Sequence, residues 1–347
     1  MEAEIGNRSN LSSMPTACIN TPGCRIRLVS EHLEVRGKDE TGTESLLRIL
    51  PLRDLDRLLA AEGTQISGEA LAALLRNGVP VAFVGWNGDF LGDFQPAAPA
   101  QGAWRLQQYR STLDPAFCLA VAGRLVAAKI YNQRRVLQRL AANRGADLTA
   151  DLAHLDALLR KAFRSPTLET LRGYEGAASA RYFQTWATFL PEGVEFERRS
   201  TRPPLNPVNA CISYAATLLY HETVSAIQAR GLDPALGLLH ATENGRWSLA
   251  LDLIEPFRPV LVESLALDVF SHQILNASHF RPHNGGTYLN NEGRAKFIVQ
   301  YERRMERQFM SEFVGHRTTL RQQLENSVTR LKTSLETPSA FEAFVMN

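Results

Sequence analysis

Four polar residues stand in apolar or small-residue surroundings, where charged side chains often carry out chemistry. They are Glu175 in LRGYEGAASARYF, His240 at the end of GLLH, and Asp252 with Glu255 in SLALDLIEPFRP. A buried carboxylate loses its hydration, so it is costly unless a cation compensates it. Carboxylate oxygens suit Mg²⁺ or Mn²⁺, and imidazole suits Mn²⁺ better than Mg²⁺. These residue types therefore favour a divalent-metal site.

The acidic pair has a spacing that brings its side chains together. Asp252 and Glu255 are three apart on a predicted helix, which places their Cβ atoms about 5–6 Å apart on one face. A divalent metal could bridge them, or they could form a salt bridge with Arg258. Pro256 removes a helical hydrogen bond and could rotate Glu255 relative to Asp252, so which acid is the stronger ligand stays open. Taken singly, Glu175 could be an ion-paired or capping residue and His240 a hydrogen-bonded core histidine.

Several ordered motifs connect these residues. The segment Leu171–Phe183 fits [LI]-x-G-x-E-G-x-x-[SA]-x-x-Y-F, and the other motifs are RRSTRPPLNPVNACISYAATLLYHE, GLLHATENGRWSLALDLIEPFRPVLVE, KIYNQRRVLQR from Lys129 and LNNEGRAKFIVQYE from Leu289. Together they resemble, in order and over nearly the whole chain, the CRISPR-associated integrase family of spacer acquisition. Asn206 departs from this pattern, which usually has Asp there, and Trp247 stands where Pro is frequent.

The resemblance implies a site and an activity. The metal ligands implied are Glu175, His240 and Glu255, with Asp252 as a nearby second carboxylate, and the metal is Mg²⁺ or Mn²⁺. The activity implied is that of a DNA endonuclease and integrase, in which water or a DNA 3′-hydroxyl attacks a phosphodiester and short foreign DNA enters the CRISPR repeat. The resemblance also implies a homodimer formed by the N-terminal domain, and a small endoribonuclease-like partner protein that bridges two dimers.

Positive charge is clustered although the net charge is only +2. Between positions 105 and 144 eight Lys and Arg residues stand against one acid, and between 292 and 332 nine stand against five. Such clusters fit the phosphate backbone of double-stranded DNA, although a solvated helix face is an equally good interpretation. The residues predicted to bind phosphates are Arg124, Lys129, Arg134, Arg135, Arg198, Arg199, Arg202 and Arg258.

The elements that must position these residues divide into two parts, an α+β arrangement. Short strands are predicted at CRIRLVS, HLEVRG, SLLRILPL and VPVAFVG, with a helix capped by Ser67 and ending near Gly78. Residues 95–104, rich in Pro, Ala and Gly, predict a linker. Beyond them the apolar spacing becomes helical, with helices expected over 207–229, 247–277, 293–312 and 317–334 and loops at 231–237 and 281–293. The sequence thus predicts a β-rich domain at 1–98, poorly ordered over 1–20, and an all-α domain at 99–347. The resemblance implies that the first is the dimerisation domain and the second the catalytic domain.

Other classes of protein are less consistent with the sequence. Apolar runs stay well below the roughly 18 residues of a membrane span, the first 20 residues lack a signal-peptide pattern, and a cytoplasmic location is expected. The four cysteines form no C-x-x-C pair. A nucleotide phosphohydrolase would need a His-Asp dyad or a P-loop, and the sequence contains neither motif. The remaining alternative is a non-catalytic DNA-binding scaffold, in which Glu175, His240 and Glu255 are core polar residues.

Overall fold

The computed structural model describes residues 16–19, 23–38, 42–85, 90–97, 101–312 and 314–347. The chain divides into two compact units, Met1–Ala97 and Ala98–Asn347. The first is rich in strands and the second is mainly helical. Among the described residues, none of the helices has the length and apolar character needed to cross a membrane.

Within its described residues, the first unit contains two four-stranded sheets and one α-helix. Its elements are β1 (Thr16–Ile19), β2 (Arg25–Val29), β3 (His32–Lys38), β4 (Glu44–Pro51), β5 (Arg57–Ala61), β6 (Gln65–Ile66), α1 (Gly68–Arg76), β7 (Val81–Val84) and β8 (Phe90–Phe94). The strand orders are β1-β5-β7-β8 and β4-β3-β2-β6. In the first sheet β1, β5 and β7 are parallel, and β8 is antiparallel to β7.

Alternating side chains explain the core of this unit. In β3, Leu33 and Val35 point inward while their neighbours are more exposed. The helix α1 begins as expected, because Ser67 accepts a hydrogen bond from the Ala70 amide. The expectation of poor order over 1–20 is wrong for Thr16–Ile19, which pairs with β5; the rest of that segment lies outside the described residues.

The second unit is built from nine helices and four short strands within the described residues. They are α2 (Gly102–Thr112), α3 (Pro115–Arg144), α4 (Thr149–Phe163), α5 (Leu168–Ala187), α6 (Pro207–Ala229), α7 (Ser248–Ile254), α8 (Ser264–Ser271), β9 (Phe280–His283), β10 (Gly286–Leu289), α9 (Asn291–Glu306), β11 (Phe309–Ser311), β12 (His316–Thr318) and α10 (Leu320–Thr333). The two strand pairs are antiparallel.

The expectation of an all-α unit is wrong in detail, because part of the predicted loop 281–293 and the end of the predicted helix 293–312 form strands. The predicted linker is also shorter than 95–104, since α2 begins at Gly102.

The long helix α3 runs through the core of the helical unit. Asp114 caps its N-terminus by accepting a hydrogen bond from the Ala116 amide, and Gly145 ends it in the left-handed conformation. Val121, Leu125 and Ala128 belong to a core cluster that also contains residues of α6, α7 and α10. Lys129 is itself buried, between the buried Ala128 and Ile130 on this helix. Its side chain therefore points into the protein.

Two prolines divide the predicted helix 247–277 into several pieces. After α7 ends at Ile254, residues Glu255–Phe257 form a 3-10 turn and Arg258–Glu263 form a π-helical turn before α8 begins. Pro256 and Pro259 cannot donate helical hydrogen bonds, which explains the irregular turns. The Pro256 carbonyl instead accepts a hydrogen bond of 2.7 Å from the Asn132 side chain on α3. This contact fixes the irregular segment against α3.

Candidate metal centre

A buried lysine ammonium joins two of the predicted metal ligands. Lys129 on α3 places its Nζ 2.6 Å from Glu175 Oε1 and 2.5 Å from Glu255 Oε2. The exposed fractions of these side chains are 7% for Lys129, 17% for Glu175 and 3% for Glu255. Two carboxylates that are far apart in the sequence are thus held around a single positive charge.

Arg258 completes this group of charges. Its Nη1 lies 3.0 Å from Glu255 Oε1, so that each carboxylate oxygen of Glu255 faces a different cation. We refer to Lys129, Glu175, Glu255 and Arg258 as the Lys129 cluster. Its formal charges, two positive and two negative, cancel. Such pairing is what allows ionised groups to remain in the protein interior.

The cluster determines the protonation of its members. Burial by itself would raise the pKa of Glu255, but the charges of Arg258 and Lys129 outweigh it and lower this pKa to about 2. Burial likewise disfavours the charged form of Lys129, but Glu255 and Glu175 raise its pKa above the ordinary value. Lys129, Glu255 and Arg258 are therefore charged near neutral pH.

Asp252 holds the loop that carries His240. Its Oδ2 accepts hydrogen bonds from the backbone amides of Leu238 at 2.5 Å and Leu239 at 3.0 Å. Its Oδ1 lies 3.0 Å from the His240 amide and 2.6 Å from His240 Nδ1. With both oxygens engaged and no exposed surface, Asp252 positions the histidine. Asp252 and Glu255 thus have different surroundings, in line with the expectation that Pro256 could rotate Glu255 relative to Asp252.

These contacts also select a tautomer for the imidazole. Asp252 can only accept, so it assigns the proton to Nδ1 and leaves Nε2 with a free lone pair when His240 is neutral. The other ring nitrogen of a metal-binding histidine is commonly held by a carboxylate in this way. The His240 side chain is 34% exposed.

The pKa of His240 lies above its ordinary value. Burial lowers it, but the hydrogen bond to Asp252 and the charges of Asp252, Glu255 and Glu175 have the larger combined effect and raise it. The influence of Glu255 and Glu175 places the imidazole within the electrostatic field of the Lys129 cluster. It remains partly open to solvent while both carboxylates are largely covered.

Two further contacts shape the loop before α7. Arg172 on α5 donates a hydrogen bond of 3.0 Å from Nε to the Leu239 carbonyl, which ties the loop to the helix that carries Glu175. Gly237 has no room for a side chain, because a Cβ there would lie 2.1 Å from the His240 carbonyl oxygen. The chain therefore turns back on itself at Gly237, and only glycine fits.

The four predicted site residues are thus distributed over two connected groups. Glu175 and Glu255 share Lys129, while His240 is held by Asp252 beside them. Within the part of the chain that the structure describes, no group of three or more His, Cys, Asp or Glu side chains is arranged to hold a metal ion. The Lys129 ammonium lies between the two carboxylates. That the three ligands share one metal stays a prediction.

The residues predicted to bind phosphates fall into two classes. Arg198 and Arg202 are exposed, and Arg124, Arg134 and Arg135 are partly exposed. Arg134 also pairs with Asp156 at 2.8 Å, and phosphate binding by this set of residues stays a prediction. Three others have their cationic heads bound to protein groups. These are Lys129 and Arg258 in the Lys129 cluster, and Arg199, which bonds to Asn209 and Ser213.

Burial explains the different placement of these three residues. Arg199 is largely surrounded by protein, and burial together with the charge of Arg258 lowers its pKa to about 10. The role of Lys129 within the site was missed in the sequence, where a lysine next to Arg134 and Arg135 resembles a surface cation. The only signal for it is its place one residue after the buried Ala128 on a helix with an apolar face.

Comparison with known proteins gives the family. The chain matches the family described as "CRISPR associated protein Cas1" over residues 17–303. The chain belongs to the Cas1 family. The matched range includes Lys129, Glu175, His240, Asp252 and Glu255.

Curated Cas1 relatives support this assignment. A "CRISPR-associated endonuclease Cas1 1" of Thermodesulfovibrio yellowstonii is 35% identical over 266 residues, which cover 75% of this chain and 83% of that protein. A "CRISPR-associated exonuclease Cas4/endonuclease Cas1 fusion" of Geobacter sulfurreducens is 36% identical over 265 residues, covering 74% of this chain and 47% of the fusion. The chain therefore spans about half the length of such fusion proteins.

Solved structures have the same fold. A "Casposase bound to integration product" has a TM-score of 0.81 at 21% identity and covers 93% of this chain and 90% of its own. A chain of a "Cas6-RT-Cas1--Cas2 complex" has a TM-score of 0.76 at 25% identity. The match covers 99% of this chain and 37% of the chain in that complex. The Cas1 fold thus combines a strand-rich N-terminal region with a helical remainder.

Proposed function

We propose that this chain is a metal-dependent DNA endonuclease and integrase that inserts short foreign DNA into a CRISPR array. The observation that carries the proposal is the Lys129 cluster, in which Glu175 and Glu255 share one cation beside His240. The curated relatives are named endonucleases. A site that already binds positive charge with two carboxylates, next to an imidazole with a free Nε2, has the donor types of a Mn²⁺ or Mg²⁺ centre.

The donor set fits a divalent ion in charge as well as in type. Glu175, Glu255 and a neutral His240 would be the ligands, and Asp252 would hold the imidazole in the required orientation. When bound, the ion would polarise the scissile phosphate and stabilise negative charge on the transferring phosphoryl group. Arg258 keeps Glu255 ionised and directed, and the nucleophile would be water for cutting or a DNA 3′-hydroxyl for joining.

The helix that carries Glu175 has an open side that leaves room for DNA. Gly173 and Gly176 lie one helical turn or less from Glu175, and a Cβ at either position would meet no atom within 4 Å. That side of α5 is therefore not packed against the described part of the protein. The exposed Arg198 and Arg202 belong to the same helical unit and would neutralise backbone phosphates.

Assembly with a second copy is supported by the first unit. β4 is an edge strand, and Leu46, Leu47 and Ile49 on it are 44%, 42% and 51% exposed. An exposed apolar edge invites pairing with another chain. We therefore propose a homodimer through the β-rich unit. Sedimentation at micromolar concentration should show a dimer for the wild type and a monomer for Ile49→Glu, and a dimer that survives removal of residues 1–98 would contradict this.

A partner protein is the second part of the proposed assembly. The solved complex that contains a Cas1 chain also contains Cas2. By analogy, we propose that a small endoribonuclease-like protein bridges two dimers of this chain on double-stranded DNA.

Binding to duplex DNA should weaken steeply between about 50 and 200 mM salt, because contacts to phosphates release counterions. An affinity that barely changes would contradict contact through the phosphate backbone.

The proposal is tested by joining a short 3′-hydroxyl duplex to repeat DNA, with Mn²⁺ and the partner protein present. Glu175→Gln should abolish joining while the melting temperature stays near that of the wild type. Glu169→Gln is the matched control, because Glu169 is an exposed acid on the same helix. Equal activity in both variants would remove the metal centre from the proposal.

A non-catalytic DNA-binding scaffold remains the second candidate. Its support is that the Lys129 cluster is neutral by itself, as expected for a structural ion-pair network. A scaffold would bind duplex DNA with the same salt dependence. It would show no Mn²⁺-dependent cleavage or joining in the wild type, which separates the two candidates.

A further inference from the structure

The Lys129 ammonium occupies the position that a divalent ion would need. It lies 2.6 Å from Glu175 Oε1 and 2.5 Å from Glu255 Oε2. A metal bound to the same two carboxylates would need to approach these oxygens still more closely, to about 2.0–2.1 Å for Mg²⁺. Two cations cannot occupy one position between the same oxygen atoms.

We propose that Lys129 is the counter-cation of the metal-free site, and that a divalent ion binds by displacing its ammonium from Glu175 and Glu255. This inference rests on the metal centre of the proposed function. Without a cation, two largely buried carboxylates would repel each other and carry an uncompensated desolvation cost. Lys129 removes this cost in the metal-free protein and holds both carboxylates close together, ready for a metal.

The choice of lysine suits a cation that must leave. An ammonium is a compact charge on a flexible stem, whereas a guanidinium is a planar fork that holds carboxylates through paired hydrogen bonds. Arg258 provides the comparison within the same cluster. It binds Glu255 through Oε1 and leaves Oε2 to Lys129. Arg258 can therefore stay in place while Lys129 is displaced.

If the metal displaces Lys129, the two cations compete for the same two carboxylates. The affinity for metal should therefore depend on the residue at position 129. Lys129→Met keeps a similar length without the charge, and it should bind Mn²⁺ about tenfold more tightly, within the usual size of couplings between two ligands. Its metal-free form should melt at a lower temperature, because the carboxylates then repel each other. Lys129→Arg should bind Mn²⁺ more weakly than the wild type.

The measurement is titration with Mn²⁺ alone on the full chain, with free Mn²⁺ read by electron paramagnetic resonance and melting temperatures recorded in parallel. Lys161→Met is the matched control, because Lys161 is exposed on α4, and its affinity should equal that of the wild type. If Lys129→Met does not fold, Lys129→Gln replaces it, since an amide can still donate to a carboxylate without its charge.

The outcomes separate this inference from the metal centre itself. The expected order of Mn²⁺ affinity is Met above Lys above Arg at position 129, with binding lost in Glu255→Gln. If the wild type binds Mn²⁺ through Glu255 but Lys129→Met binds equally or more weakly, the displacement is refuted and the metal centre stands. If neither protein binds Mn²⁺, both ideas are refuted.

Discussion

Among the described residues of the helical unit, two groups of largely buried charges are arranged in different ways. In the second group, Arg321 on α10 contacts three carboxylates, with Nη1 2.7 Å from Glu222, Nη2 2.6 Å from Glu302 and Nε 2.5 Å from Glu306. We call these four residues the Arg321 cluster. Each nitrogen of its guanidinium is matched to a separate carboxylate, and these come from α6 and α9. The Lys129 cluster instead has two carboxylates that share one ammonium.

The difference separates a structural group of charges from one suited to binding. The guanidinium of Arg321 holds three helices together through fixed directions, and no single ion could replace these contacts. Its pKa is raised well above the ordinary value, because the three glutamates outweigh the effect of burial. The ammonium of Lys129 has no such directional fork. A small cation could take its place with little change in the surrounding helices.

The largest expected difference between the clusters is in activity. Glu255→Gln should reduce Mn²⁺-dependent joining by at least about a hundredfold, the usual scale for losing a group that stabilises charge in the transition state. Glu222→Gln removes a comparably buried carboxylate from the Arg321 cluster and should leave joining by the folded protein unchanged. The measurement is the initial rate of joining per folded molecule. Similar losses in both variants would erase the distinction.

Stability should show the opposite order. Arg321→Leu removes the guanidinium that three largely covered carboxylates share, and such a change costs about 3–5 kcal/mol of folding free energy. Lys129→Met leaves only two carboxylates, one of which keeps Arg258, so its cost should be smaller. Urea unfolding of the metal-free proteins measures both. A larger cost for Lys129→Met would show that the Lys129 cluster is the main structural one.

A smaller effect is expected from the residue that only positions the histidine. Asp252→Asn should weaken Mn²⁺ binding about 10–100-fold, as other groups that orient metal ligands do. Joining should be reduced but not abolished, and higher Mn²⁺ concentrations should restore part of it. Titration calorimetry with Mn²⁺ gives the affinity. A complete loss that excess metal does not rescue would instead make Asp252 a ligand.

The smallest effect concerns pH. Because the pKa of His240 is raised, protonation of His240 stabilises the metal-free fold at low pH, and this contribution is lost as pH rises through the raised value. Metal binding needs neutral imidazole. As the pH is lowered, Mn²⁺ affinity should therefore begin to fall while the pH is still above 6.5, the ordinary pKa of histidine. Asp252→Asn should move this midpoint to lower pH. An unchanged midpoint would mean that another group controls the dependence.

Much of the fold followed from local patterns. The strands β2, β3, β4 and β7 and the helix Pro207–Ala229 were predictable, because alternation and helical spacing express which face is buried; β1, β5 and β6 were not predicted. The strand pair Phe280–His283 and Gly286–Leu289 was missed, although Asn284-Gly285 carried a signal for it. Both residues have positive φ, 45° and 73°, as the tight turn of a two-residue hairpin requires. The breaks after Ile254 follow from two prolines whose effect on the helix end was only partly foreseen.

The site was predictable only as a set of acids and a histidine. The motifs located Glu175, His240, Asp252 and Glu255, but they could not show that Asp252 turns to the loop and Glu255 to α3. Position 129 was assigned to phosphate binding for the same reason. Whether a lysine faces solvent or two carboxylates depends on how α3 and α5 pack, and spacing within a single helix carries no such information.

The central claim is that Glu175, Glu255 and His240 share one divalent ion. The most direct test is a crystal structure of the chain grown with Mn²⁺, with anomalous scattering recorded near the manganese absorption edge. The account predicts one strong peak bound by a carboxylate oxygen of each glutamate and by His240 Nε2, with the Lys129 ammonium moved away. A fully ordered site in which Lys129 still bridges the two carboxylates, with no anomalous peak beside them, would contradict it.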